Sequence, residues 1–182
     1  FKLNANQFPD NWHSMERCVT QAKESGVRLG VHTLSNFIKP NDPYVNPRPD
    51  PRLAEIGTST LNSSINAKEE RIPIQTPTFF QKKTTMNTVR IGEELIRYQD
   101  VTAEAPWFLT GCQRGAWGTT ATKHPPSETV AKLMDHGYRV FLSNTELSVE
   151  IAHNIADLFN QTTLAQISFD GLEGNWSTGM GQ

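Results

Sequence analysis

The chain has 182 residues, enough to bury a sizeable core, and its 36% hydrophobic and 20% charged content places it among globular proteins rather than disordered or membrane-spanning ones. Its 17 Lys and Arg against 19 Asp and Glu leave a formal net charge of -2 with no basic run, so neither nucleic acid nor a membrane is an expected partner. Cys18 and Cys112 lie in unlike segments; a disulfide between them stays open, two buried free thiols is the preferred reading, and no CxxC or zinc spacing occurs.

Residues 1–9 read as a loop or strand end feeding a first helix at 10–25. Trp12, Met15, Val19 and Ala22 recur at helical spacing, Asp10 or Asn11 can serve as N-cap, and Gly26 stands where a left-handed C-terminal cap belongs. A strand follows at 27–34. His32, late in that strand, and Asn36 just beyond it are candidate substrate contacts, because imidazole and amide groups hydrogen-bond sugar hydroxyls. The bland alternative is a histidine satisfied by packing.

Five prolines at 40–51 rule out a helix and describe an extended loop that marks a boundary. From about residue 52 to 130 the helical period gives way to short β-like runs: 56–65, 71–74, 87–91, 94–101, 107–112 and 128–133. Ile91-Gly92-Glu93-Glu94 reads as a hairpin turn. Gly111-Cys112-Gln113-Arg114-Gly115-Ala116-Trp117-Gly118-Thr119-Thr120 is glycine-spaced, but it lacks the flanking strand and helix and the Lys-Ser/Thr ending of a phosphate cradle. Asp42 and Asp50 offer oxygen ligands without EF-hand order, so no metal site and no cofactor is expected.

Residues 132–144 lead out of the insertion, with His136, Gly137 and Tyr138 in a loop; Tyr138 is a further candidate substrate contact. A second helix at 145–161 carries Leu147, Ile151, Ile155, Leu158 and Phe159 on one face, and capping accounts for Asn144 and Glu146. It runs into Leu164-Ala165-Gln166-Ile167-Ser168-Phe169-Asp170-Gly171-Leu172-Glu173-Gly174. An apolar run ending in an acid is how a buried parallel strand delivers a carboxylate to the rim of an α/β barrel. Asp170 is the first candidate catalytic residue, Glu173 the second, and Trp176 a candidate sugar-stacking platform.

Helix then strand, occurring twice, implies parallel pairing through a crossover. The expected fold is therefore α/β, a partial (β/α)8 TIM-barrel segment with an inserted antiparallel β-module. Its divisions are 1–47, 48–133 and 134–182. Two helix–strand units cannot close eight strands, so the chain reads as a segment whose first partner is the remainder of its own barrel. Alone, with exposed barrel edges, it is expected to be unstable or to associate.

Phe8-Pro9 before a helix, Gly26-Val27-Arg28-Leu29-Gly30-Val31-His32, a long insertion, a helix, and a strand ending Phe169-Asp170-Gly171-Leu172-Glu173 together resemble the middle of (β/α)8 retaining α-glycosidases of the α-glucosidase and α-galactosidase type. The resemblance implies that Asp170 is the nucleophile and that the acid/base lies outside this segment; Ser168 stands where the galactosidase group has Lys. The chain is also similar to exported carbohydrate-degradation proteins of gut-type bacteria, which implies a secreted or periplasmic location. The insertion is similar to small β-modules of phage tail proteins.

Three functions compete on these residues. The leading expectation is a glycoside hydrolase in which Asp170 attacks the anomeric carbon. The second is a polysaccharide lyase on uronic-acid glycans, with His32 or Tyr138 abstracting the C5 proton. The third is a non-catalytic segment that binds glycan or protein through its insertion.

Overall fold

The computed structural model describes residues 3–34, 36–171 and 178. In chain order its elements are α1 (Trp12–Glu24), β1 (Gly30–Leu34), β2 (Phe37–Ile38), β3 (Glu55–Thr60), β4 (Ile72–Pro73), β5 (Thr88–Ile91), β6 (Glu94–Arg97), β7 (Asp100–Val101), β8 (Phe108–Thr110), a 3-10 turn (Ala116–Gly118), β9 (Thr129–Leu133), β10 (Asp135–His136), β11 (Val140–Leu142), α2 (Thr145–Thr162) and β12 (Gln166–Asp170). They fall into two compact units, Phe1–Asn36 with Thr145–Gln182, and Phe37–Asn144.

In the first unit, α1 ends where Gly26 takes φ 76° and the Val27 amide turns back 2.9 Å to the Ala22 carbonyl. That return closes carbonyls a helix end leaves orphaned. Val19, Leu158 and Leu164 are buried together, with Trp12, Met15, Leu29, Val31 and Phe159 packed against them. The strands β1 and β12 pair in parallel from Gly30 opposite Gln166 to Leu34 opposite Asp170, as the repeated helix–strand order dictates. Gly30 allows the close approach: a Cβ there would lie 2.6 Å from the Gln166 carbonyl oxygen.

The expected α/β class and (β/α)8 barrel segment are overturned. The chain forms mostly small antiparallel sheets with two helices, and no barrel closes among the described residues. The helix–strand repeat suffices for one parallel pair, and that pair lacks the burial of barrel strands. Exposed and half-buried residues alternate along β1, and β12 is exposed at four of its five positions, whereas parallel strands of a barrel bury both faces. The strand expected at 27–34 begins only at Gly30.

The second unit carries three antiparallel sheets, in strand orders β3-β9-β5-β6, β4-β8-β7 and β10-β11-β2. Strands β5 and β6 form the hairpin read at Ile91-Gly92-Glu93-Glu94, with Ile91 opposite Glu94. Gly92 sits at φ 53° there, and a side chain would meet the Glu128 carboxylate at 2.8 Å. Leu61, Ile65, Ile72, Ile74, Phe80, Val89, Ile91, Ile96, Leu109 and Val130 make the core between the sheets. At about 1.5–3 kcal/mol for each fully buried side chain, this cluster is the unit's main source of stability. Phe37 and Ile38, read as loop, form β2; of the loop read at 136–138, His136 belongs to β10, while Gly137 and Tyr138 lie in a turn. Of the two cysteines, both free, Cys112 is buried but Cys18 is exposed on α1, which corrects the expectation of two buried thiols.

One amine lies inside that core. Lys132 is fully buried on β9 and donates to the Asn87 amide oxygen and, at 2.7 Å, to the Tyr98 hydroxyl. Tyr98 in turn donates to the Phe80 carbonyl at 2.8 Å, and Asn87 Nδ2 donates to the Tyr98 carbonyl at 2.7 Å. Every hydrogen bond here offsets the cost of burying a polar group. Burial still pushes the Lys132 amine down to about 8.

Candidate functional site

Period-two alternation puts Ser168 and Asp170 on one face of β12, and parallel register sets His32 of β1 opposite Ser168. The His32 ring joins the two strands. Its Nδ1 lies 3.2 Å from Ser168 Oγ, and its Nε2 lies 3.5 Å from Asp170 Oδ2. His32 and Asp170 lie 138 residues apart in sequence because the second unit intervenes; in the first unit they are neighbours. Their side chains are 66% and 63% exposed, so both are open to solvent. The Asp170 carboxylate also accepts the Gly171 amide at 2.8 Å, where Gly171 takes φ 76°. Asp170 is the only carboxylate on either strand.

Asn36 is 1% exposed, its Nδ2 directed at Thr178 Oγ1 at 3.5 Å and its Oδ1 without a hydrogen-bond partner among the described residues. It is a buried group rather than an open substrate contact. Tyr138 belongs to the second unit, at the turn between β10 and β11. Glu173 and Trp176 lie outside the described residues. Of the six residues proposed from sequence, two, His32 and Asp170, are thus brought into direct contact. Ser168 was missed; the alternation along β12 was the signal that could have found it.

The glycine-spaced loop at 111–120 has a different organiser. Glu94, with no exposed surface, accepts Arg114 Nε and Nη2 at 2.8 Å each, the Gly115 amide at 2.9 Å and the Thr122 amide at 3.0 Å. His124 Nε2 stands 2.9 Å from the same carboxylate, and its Nδ1 stands 3.0 Å from Glu128. Burial pushes the Glu94 carboxyl up, but the hydrogen bonds from His124, Arg114, Thr122 and Gly115 outweigh it and hold the group down to about 2. For His124, burial works against the charged ring, and the hydrogen bonds to Glu94 and Glu128 prevail and raise it. The bidentate Arg114–Glu94 fork fixes the loop to the β5–β6 hairpin. This is a structural clamp with its charges turned inward.

The chain matches no protein-family model and no curated protein. Among the described residues, no group of three or more His, Cys, Asp or Glu side chains is placed to hold a metal ion, and no helix is long and apolar enough to cross a membrane.

Proposed function

We propose that the chain contributes a glycan-hydrolysing centre built on the paired ends of β1 and β12, with Asp170 as the attacking carboxylate. The observation that carries the reading is the contact of His32 Nε2 with Asp170 Oδ2 on adjacent parallel strands, both open to solvent. An oxygen of Asp170 attacks the anomeric carbon as the glycosidic C–O bond breaks, and a water later cleaves the glycosyl ester and releases the sugar. His32 at Oδ2 and the Gly171 amide at Oδ1 together orient the carboxylate for attack. Protonation of the leaving oxygen requires a second acid about 5–5.5 Å from the first. Neither strand offers one, so that acid belongs to another part of the protein. The reading does not depend on a closed barrel.

The test is to incubate the wild-type protein and Asp170→Asn with a panel of plant and host glycans, following new reducing ends and near-ultraviolet absorbance together. Reducing ends without absorbance, lost in Asp170→Asn, are the expected result. Equal turnover by the variant would remove Asp170 from the chemistry. Absorbing, unsaturated products would reassign the site to β-elimination.

A further inference from the structure

The second unit exposes an aromatic surface that its own packing does not use. Antiparallel register pairs Phe37 with Leu142 and His136 with Val140, and residues 140 and 142 point to one face of β11. Phe37 and His136 therefore share that face from opposite sides of β11, and their rings stack with centroids 4.8 Å apart at 24°. Tyr138 stands across this pair. Its ring meets His136 at 4.7 Å and 70°, and Phe37 at 5.9 Å and 71°. These are the edge-to-face arrangements that aromatic quadrupoles favour, so the tyrosine is held in place. Yet it remains 68% exposed, the largest exposure among the large hydrophobic side chains of the chain's described residues.

The turn holds the ring outward. Arg139 takes φ 59° and returns its amide to the His136 carbonyl at 2.9 Å, which leaves residues 137–139 projecting. A side chain added at Gly137 would find nothing within 4 Å apart from its two chain neighbours, so the turn is open at that position. No hydrogen bond engages the Tyr138 hydroxyl or His136 Nε2 among the described residues, while the Tyr138 amide lies 3.4 Å from His136 Nδ1. A rigid, open aromatic face edged by an unengaged hydroxyl and ring nitrogen matches a pyranose ring. Such a ring presents C–H bonds on its flat side and hydroxyls around its rim. An apolar protein surface would leave both polar atoms desolvated and unpaired.

We infer that Phe37, His136 and Tyr138 form a glycan-binding platform on which a pyranose unit of a polysaccharide stacks against Tyr138. The ligand class rests on the proposed function above; the residues do not, since none of them belongs to the Asp170 centre.

The experiment is affinity gel electrophoresis of the full chain carrying Asp170→Asn, so that turnover cannot consume the ligand, in gels containing galactomannan, xylan or pullulan. Tyr138→Ala, Tyr138→Trp and His136→Ala are added to that background, with thermal unfolding of each as the control for folding. Retardation by at least one polysaccharide is expected, weakened about tenfold in Tyr138→Ala and restored in Tyr138→Trp, since one aromatic stack is worth on the order of 1 kcal/mol. Migration unaffected by all three polysaccharides, or equal retardation of Tyr138→Ala, would overturn the platform. Binding lost with Tyr138 beside wild-type turnover indifferent to Asp170→Asn would sink the hydrolase centre and leave the platform standing.

Discussion

His124 Nε2 lies 2.9 Å from Glu94 Oε2 with 4% and 0% of the two side chains exposed, an ion pair almost wholly removed from water. Removing one member of such a pair strands the other, which costs about 3–5 kcal/mol, whereas an exposed pair is worth under about 1. Glu94→Gln removes the negative charge and one of the two acceptor oxygens facing Arg114 and His124, and is expected to lower unfolding free energy by about 3 kcal/mol or more. Urea unfolding followed by tryptophan fluorescence measures it. A loss below about 1 kcal/mol would show that the clamp is not holding the loop.

The same pair gives the fold a pH window. The Glu94 carboxyl sits at about 2 in the fold against 4.5 outside it, so its contribution is complete above pH 4.5 and lost as pH falls toward 2. The His124 ring is raised above 6.5, so its contribution is complete below pH 6.5 and fades as pH rises through the raised value. The clamp is therefore strongest between about pH 4.5 and 6.5. Melting temperature of the wild type should decline on both sides of that window, and the decline on the alkaline side should be reduced in His124→Gln; an unchanged alkaline slope would contradict the assignment.

Lys132 acts with the opposite sign at higher pH. Its amine is pushed from 10.5 down to about 8, so the folded chain sheds this proton before the unfolded chain does, and stability gains from it as pH rises from about 8 to 10.5. Comparison of unfolding free energies at pH 8 and 10 for wild type and Lys132→Met isolates the effect. The difference between the two pH values should become less favourable in the variant.

Thiol titration separates the cysteines. Cys18 is exposed, while burial raises the Cys112 thiol to about 12 and denies it to reagents. One fast equivalent in the native protein and two in guanidinium are expected; two fast native equivalents would mean that the core around Cys112 opens readily.

Gly30→Val puts a side chain where the Gln166 carbonyl oxygen would be 2.6 Å from its Cβ. Strand β1 must move from β12, which separates His32 from Asp170. A loss of about 1–3 kcal/mol is expected, as for overpacking elsewhere, with early loss of amide protection along both strands. Unchanged protection would show that the ribbon accommodates the branch.

How much of this was legible differs between the units. Local signals read well: Gly26 ends α1, Gly92 turns the β5–β6 hairpin, and the proline run at 40–51 carries no helix or strand. The parallel pairing of His32's strand with Asp170's strand followed from element order. What failed was extrapolation from one parallel pair to a barrel, because element order dictates the direction of a pair and not the number of strands that join it. Two-residue strands such as β2 and β10 give too short a run for any period to show. The Glu94 clamp escaped for another reason. Its members at 94, 114, 124 and 128 are joined by sheet folding, and an acid, two bases and another acid at such spacings match no local pattern.

The antiparallel pairing of Phe37 with Leu142 places the first and last strands of the second unit side by side, about 5 Å apart. A host chain thus loses almost no span where the unit leaves and returns. Excised, the 37–144 unit is expected to fold by itself, since its core and its aromatic face both lie within it.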